Sequence, residues 1–247
     1  MTDINKRLKE AAIKGSEAEL KALLSDPGCD TRTKDKMGMT ALLWAAQKGY
    51  EDCVGLLLPE SDALATCGDG LTALIWAARS GHAGCLRLLL QKGDALAKDL
   101  EKGKALMWAA ANGHEACVKI MLPVSDPLSK SNDGATALIY AARHGQAACV
   151  ELLLPMSDAL MKSENEMTAL MYAANRGHEA CVRLLLPVSD VKAKDSRGTT
   201  ASIFAQMQGN KSLAQFIDAY ALAQSERAAI DGAVYPRAPR GRSTTRV

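Results

Sequence analysis

Apolar and polar residues are spaced along this chain in a way that predicts short pairs of helices. After Thr72, apolar residues at Leu74, Ile75, Ala77 and Ala78 lie on one face of a helix. Thr72 is a good N-cap, because its hydroxyl can accept a hydrogen bond from the first turn. A second apolar run, residues 82–90, has the same helical spacing. The pattern therefore predicts a helix, a turn and a second helix, followed by a loop rich in turn formers.

The same pattern recurs every 32 residues, as the step from Thr40 to Thr72 shows, and a slightly longer unit precedes it. The repeated positions form columns of threonine or its substitute (Thr40, Thr72, Lys104, Thr136, Thr168, Thr200), aromatic residues (Trp44, Trp76, Trp108, Tyr140, Tyr172, Phe204), glycine (Gly49, Gly81, Gly113, Gly145, Gly177, Gly209) and cysteine (Cys53, Cys85, Cys117, Cys149, Cys181). Helices this short are unstable alone, so neighbouring units must stack into a solenoid.

The columns predict seven units and a tail. The expected boundaries are an N-terminal capping unit at 3–34, repeats at 35–66, 67–98, 99–130, 131–162 and 163–194, a C-terminal capping repeat with an extended helix at 195–231, and a basic disordered tail at 232–247. In four units a proline stops the second helix after its leucine run. Those prolines are Pro59, Pro123, Pro155 and Pro187.

These residues closely resemble the ankyrin repeat family. The stretch Thr168–His178, Thr-Ala-Leu-Met-Tyr-Ala-Ala-Asn-Arg-Gly-His, carries the family pattern, and the register holds from Asp35 to about Ser212. The Cys-Val-x-Leu-Leu-Leu ending is similar to that of the long ankyrin arrays expanded in some protists. The resemblance implies an all-α solenoid of about seven helix-turn-helix units with short β-hairpin loops, and a role in binding a protein partner.

The chain also departs from the family pattern. The family's proline is alanine here, and its histidine is replaced by an apolar residue such as Leu43 or Ile75, so we expect apolar packing in place of a hydrogen-bond network. The hairpin glycine and the N-cap threonine of one unit are Lys102 and Lys104, and the glycine of another is Glu166. We expect both of these hairpins to be less regular.

Composition narrows the function classes. The chain is 48% apolar, enough for a sizeable core, and has 30 Lys+Arg against 28 Asp+Glu, so it carries no overall electrostatic footprint for nucleic acid. No apolar run approaches the roughly 20 residues of a membrane span. The seven cysteines follow no secretory signal, which predicts a reducing, intracellular and cytoplasmic location, with cytoskeletal association as a further expectation.

Candidate chemistry is sparse. The His-x-x-Cys spacing of His82 and Cys85 occurs in three units and uses zinc-ligand residue types, but stacked helices lie roughly 8–10 Å apart, too far for four ligands to converge easily. The sequence contains no phosphate-binding glycine loop and no nucleophile motif. We therefore expect no catalysis, no metal and no cofactor. The aromatic column is interpreted as core, in preference to a platform for stacked bases.

A solenoid of this kind presents a continuous concave face made by its hairpins and first helices. The residues predicted to contact a partner there are Lys48, Arg79, Lys98, Lys130, Arg143, Lys162, Arg176 and Lys194. Acidic residues stand beside them, so the face is mixed in charge. A second interpretation of the lysines stays open: they can form a solvated edge that keeps hairpins of different molecules apart.

The first hypothesis is a monomeric, non-catalytic scaffold or adaptor for a protein partner. An alternative is binding to nucleic acid or an anionic surface through the tail, whose charges are Arg237, Arg240, Arg242 and Arg246. Four charges are few, so nucleic acid is the less favoured partner. A third hypothesis is a non-catalytic subunit that targets an enzyme.

Overall fold

The computed structural model describes residues 3–93 and 99–234 of the chain. Lys98 and the predicted tail from residue 235 onward lie outside the described residues. The α-helices in these ranges are α1 (Asp3–Lys14), α2 (Glu17–Leu24), α3 (Ala41–Lys48), α4 (Glu51–Leu57), α5 (Ala73–Ser80), α6 (Ala83–Gly93), α7 (Asp99–Ala111), α8 (Glu115–Met121), α9 (Ala137–Arg143), α10 (Ala147–Leu153), α11 (Ala169–Arg176), α12 (Glu179–Leu185), α13 (Ala201–Met207) and α14 (Lys211–Val234).

The helices form two stacked layers. In each unit a first, odd-numbered helix packs against a second, even-numbered one. Helices also contact their counterparts in the next unit, as α3 contacts α5 and α4 contacts α6. The predicted all-α solenoid is confirmed. Small residues let the layers approach closely, since Ala77 and Ala109 of the first helices and Cys117 of α8 are fully buried.

Local chemistry sets the helix ends. Thr72 accepts a hydrogen bond from the backbone N–H of Ile75, and Gly81 closes α5 in the left-handed conformation, as predicted. A side chain at Gly81 would collide with the next unit, because a Cβ there would lie 2.6 Å from Nδ1 of His114. The other end of that ring lies 3.0 Å from the Arg79 carbonyl oxygen, which accepts its proton and ties the two units together.

The second helices end in short 3-10 turns wherever the leucine run is followed by proline. These turns are Leu58–Glu60, Leu122–Val124, Leu154–Met156 and Leu186–Val188. At the corresponding position of the third unit stands Gln91, and α6 continues to Gly93 without such a turn. Proline restricts the backbone of the residue before it, so its loss permits the longer helix.

The fourth unit departs furthest from the repeat. Its first helix, α7, begins at Asp99, five residues upstream of Lys104, which occupies the N-cap column. The predicted irregularity of this hairpin is confirmed and goes further than expected, since a helix replaces the hairpin. The threonine that caps the first helix of other units and the glycine that favours their hairpin turn are both absent here, and the helix begins further upstream.

The remaining hairpins are tight turns, and no β-strand occurs in residues 3–93 or 99–234. In the third unit, for example, Cys67 N–H donates to the Leu71 carbonyl (3.1 Å) and Gly70 N–H donates to that of Cys67 (3.0 Å). Glu166 preserves this turn by adopting a left-handed φ of 59°. The expectation of an irregular hairpin at Glu166 was therefore wrong: the turn is regular, and the residue is strained.

The aromatic column is only partly core, which corrects the sequence interpretation. Phe204 and Tyr172 are buried, at 3% and 9% exposure. The rings of Trp44, Trp76, Trp108 and Tyr140 are half-buried and pack against the edge of the core. The apolar replacements of the family's histidine are buried in five units, as expected, whereas Ile203 in the last unit is 42% exposed.

The C-terminal helix α14 runs to Val234, four residues beyond the predicted end at Ile230. Its residues Leu213 and Ile217, which the sequence placed on the buried stripe of this helix, are buried, and α14 packs against α13 of the same unit. Residues 232–234, assigned from the sequence to the disordered tail, are helical.

Candidate partner-binding face

The hairpin turns, together with the C-terminal ends of the first helices, are called the hairpin face. It comprises the turns at 35–38, 67–70, 131–134, 163–166 and 195–198 and the last turns of α3, α5, α9 and α11. Four predicted contact residues lie in those last turns: Lys48, Arg79, Arg143 and Arg176. A basic residue there also complements the helix dipole, so each contributes to stability as well as to the surface.

Arg79 is held between two aromatic rings. Its guanidinium carbon lies 4.4 Å from the centroid of the Trp108 ring and 5.2 Å from that of Trp76, within cation–π range. Arg143 makes a similar contact with Tyr172 at 5.6 Å, and its Nη1 lies 3.7 Å from Oδ2 of Asp133. These contacts limit the conformational freedom of both arginines, which lowers the entropic cost of binding a partner through them.

The lysine column is divided between two roles. Lys162 Nζ donates to the carbonyl of Lys194 in the next unit (3.2 Å) and pairs with Glu166 (3.1 Å). Lys34 donates in the same way to the Thr66 carbonyl (2.8 Å). These two lysines join successive loops. Lys130 is exposed on the hairpin face.

Three aspartates of the face direct their carboxylates into their own turns. Asp35 Oδ1 accepts hydrogen bonds from the backbone N–H groups of Met37 and Met39, and Oδ2 accepts one from the Trp44 indole. Burial raises the pKa of Asp35, but these bonds and the nearby Lys9 outweigh it and hold the pKa below its usual range. Asp133 and Asp195, bonded within their own turns, also have lowered pKa values, in spite of burial that acts to raise them.

A pocket of about 440 Å³ opens where the fourth hairpin is missing. Its lining comes from the third, fourth and fifth units: Asp69, Gly70, Leu71, Lys104, Met107, Trp108, Lys130, Ser131, Asn132, Asp133 and Tyr140. Of these residues the sequence predicted only Lys130 as a partner contact, with Asp69 and Asp133 among the acidic residues beside it. One feature of the sequence pointed towards this pocket: lysine replaces the hairpin glycine at Lys102 and the N-cap threonine at Lys104. These replacements predicted an irregular hairpin, but not the pocket that forms when the hairpin is replaced by a helix.

A basic cluster lies beside this pocket, at the ends of α9 and α11. Arg143, His144, Arg176 and His178 line a shallow cavity of about 460 Å³. Burial lowers the pKa of His144, and the positive charges of Arg143, Arg176 and His178 lower it further. Asp133, which pairs with Arg143, joins the cluster to the pocket.

The described side chains offer little reactive chemistry. No group of three histidine, cysteine or acidic residues within the described ranges is arranged to hold a metal ion. Burial raises the pKa of the thiols of Cys85, Cys117, Cys149 and Cys181 to about 11, so these thiols stay protonated at neutral pH. In residues 3–93 and 99–234, no helix combines the length and apolar character that crossing a membrane requires.

Comparison with known proteins agrees with this geometry. A family model described as ankyrin repeats (3 copies) matches residues 8–99, 94–162 and 156–221. The crystal structure of the human ASB11 ankyrin repeat domain superposes with a TM-score of 0.76 at 23% sequence identity, over 85% of this chain and 96% of that one. At this identity the likeness shows the fold. A comparison with curated protein sequences gave no match.

Proposed function

Because the chain belongs to the ankyrin repeat family, whose repeats generally mediate protein–protein interactions, we propose that it is a non-catalytic module that binds a protein partner on its hairpin face. In this proposal it acts in the cytoplasm as a monomeric adaptor or scaffold. Because one fold supports many functions, the surface of the solenoid, and not the fold, determines what it binds.

The row of arginines on the hairpin face carries this proposal. Arg79 is stacked between two tryptophans and Arg143 against a tyrosine, and Arg176 extends the row as an exposed cation. Arginine and aromatic residues are the types enriched at interaction hot spots, where pre-ordered side chains contribute most of the binding energy. The carboxylates of Asp35 and Asp195 accept hydrogen bonds from their own turns, so the arginines are better placed to meet a partner.

The test reverses charges on one layer of the solenoid and then on the other. Three proteins are immobilised: the full chain, the double variant Arg79→Glu/Arg176→Glu and the control Arg87→Glu/Lys119→Glu. A cell extract is passed over each, and the proteins that each one retains are quantified by mass spectrometry. The control residues are exposed on the second helices α6 and α8. Removing hot-spot contacts costs at least about 2 kcal/mol, so retention should fall roughly 30-fold for the hairpin-face variant alone.

Circular dichroism and urea unfolding show whether both variants stay folded. Proteins that remain bound to Arg79→Glu/Arg176→Glu but are lost from Arg87→Glu/Lys119→Glu would place binding on the second helices and contradict the proposal. The absence of any specifically retained protein would also count against it.

A further inference from the structure

The pocket on the hairpin face is a consequence of this chain's own sequence. Hairpins from successive units normally lie side by side, as the bond from Gly68 N–H to the Met37 carbonyl shows (2.9 Å). Helix α7 replaces the hairpin of the fourth unit, so within residues 3–93 and 99–234 no turn lies between those of the third and fifth units. The opening is lined by the third-unit turn on one side and by residues 130–133 on the other.

The floor of the pocket is apolar and partly aromatic. Leu71 and Met107 are nearly buried, and the half-buried rings of Trp108 and Tyr140 complete the surface. A volume of about 440 Å³ lies within the range of ligand pockets and holds one bulky apolar side chain. Methionine adapts its shape to an occupant, and aromatic rings gain from offset or edge-to-face contact with another ring.

The described side chains around this floor carry an excess of positive charge. Two acids line the pocket, and one of them, Asp133, accepts hydrogen bonds from the Ser131 hydroxyl and from Tyr140 (3.2 Å), and pairs with Arg143. The basic side chains that line it or contact its lining are Arg79, Lys104, Lys130 and Arg143. The lining itself is balanced, with Lys104 and Lys130 against Asp69 and Asp133. The excess comes from Arg79 and Arg143 at its edge and from the adjoining basic cluster.

We infer that the pocket binds a bulky apolar side chain, aromatic or long aliphatic, of a partner segment whose neighbouring residues are acidic. This inference rests on the proposed protein-binding function and names the chemistry of the partner. The apolar anchor fills the space of the missing hairpin, and adjacent carboxylates meet Lys130 and the basic cluster. Binding is strongest when a central anchor is desolvated and the charged contacts surround it.

The test uses peptides of undetermined sequence as probes. A phage-displayed library of random dodecapeptides is panned against the full chain, and fluorescein-labelled copies of the enriched peptides are titrated by fluorescence polarisation. The enriched sequences should share one bulky apolar residue flanked by aspartate or glutamate. Two variants probe the two parts of the site: Asn132→Trp, at an exposed lining position, fills the pocket, and Lys130→Glu reverses its charge.

Loss of a buried hot-spot anchor should weaken peptide binding at least about tenfold in Asn132→Trp, and charge reversal should weaken it about fivefold in Lys130→Glu. The control is Ala148→Trp, at an exposed position of the second helix α10 and outside the hairpin face, which should stay within about twofold of the parent. Enrichment of peptides without the signature, failure to enrich any, or unchanged binding to Asn132→Trp would overturn the inference.

The outcomes also separate this inference from the proposed function. Some peptides could bind Asn132→Trp as well as the parent but fail to bind Arg79→Glu/Arg176→Glu. That result would support the hairpin face as the binding surface and contradict only the inference about the pocket. Peptides insensitive to both sets of changes would contradict both. If sedimentation shows the chain to self-associate, and Asn132→Trp abolishes this, a second copy occupies the pocket and the inference is wrong.

Discussion

Trp44 donates its indole N–H to the carboxylate of Asp35 across 3.0 Å. One unit later, Cys67 stands where Asp35 would be, and the indole nitrogen of Trp76 is buried with no hydrogen-bond partner among the described residues. A buried donor without an acceptor loses its hydration and gains nothing in return. Two equivalent tryptophans therefore differ in their contribution to stability for a reason that lies nine residues upstream.

Phenylalanine should cost more stability at position 44 than at position 76. Trp44→Phe removes a hydrogen bond to a charged acceptor and should cost about 1.5–3 kcal/mol. Trp76→Phe removes the unpaired donor, and this gain offsets the lost packing, so we expect a cost below about 1 kcal/mol. Urea unfolding of the two variants and the parent measures the difference. A larger loss for Trp76→Phe would show that ring size, and not the hydrogen bond, sets the order.

Glu166 should be a site where a single substitution stabilises the protein. It is the one non-glycine residue with positive φ within the described residues. A left-handed conformation costs an L-residue roughly 1–2 kcal/mol, and part of that is offset because glycine is freer in the unfolded chain. Glu166→Gly should therefore raise the free energy of unfolding by about 0.5–1 kcal/mol.

The exposed pair between Glu166 and Lys162 must be separated from the backbone effect. Glu166→Gln keeps the strained backbone and removes only the charge, and a surface pair contributes about 0–1 kcal/mol. It should be neutral or slightly destabilising. Equal stabilisation by glutamine and glycine would assign the effect to charge and refute the strain argument.

The features that the sequence predicted correctly are those that depend on residues close together along the chain. Local chemistry determines the helix caps at Thr72 and Gly81 and the helix ends before the prolines. The 32-residue repeat predicts that neighbouring units stack. The turn at Glu166 was mispredicted because hydrogen bonds across it, and one from Glu164 N–H to the Asp133 carbonyl, maintain a backbone that glutamate alone disfavours.

The candidate site depends on contacts between residues that are distant in the sequence, so it could be predicted only in part. Arg79 and Arg143 were predicted on the hairpin face, but their aromatic partners were assigned to the core. Whether a ring in a first helix is covered depends on the hairpins beside it, and the fourth hairpin is missing. For the same reason the pocket next to Trp108 could not be predicted from the repeat. The repeat pattern does not show that a pocket forms where a hairpin turn is lost.

Thiol reactivity should report unfolding of individual units. Cys29 is half-buried, whereas the other six cysteines are buried, and burial raises the pKa of four of their thiols to about 11. A disulfide reagent such as DTNB must reach the thiolate. Burial and the nearby Asp26 and Asp30 raise the pKa of Cys29 too, but its partial exposure should let the reagent modify Cys29 alone in the native protein, and all seven thiols in denaturant. Cys29→Ser should abolish the fast phase. Rapid labelling of a second thiol in that variant would contradict the assignment.

Stability should fall in acid because of the aspartates in the hairpin turns. Asp35, Asp133 and Asp195 have pKa values below the usual carboxyl range, since hydrogen bonds to the charged form outweigh burial. The unfolded chain, with aspartate pKa values near about 3.9, then binds more protons than the native protein as the pH falls. Their contribution is complete above about pH 5 and is lost as the pH falls through about 3.9 towards the lowered native values.

Urea midpoints at pH 6, 5, 4 and 3 should therefore decrease most steeply below about pH 4. Asp35→Asn should lower the midpoint at pH 6 and flatten this dependence, because one linked proton is removed. Asp69→Asn, at an exposed turn tip, is the matched control and should keep the parent's pH dependence. Parallel pH profiles for the parent and Asp35→Asn would show that the Asp35 carboxylate does not stabilise its hairpin, and that the acid sensitivity arises elsewhere in the chain.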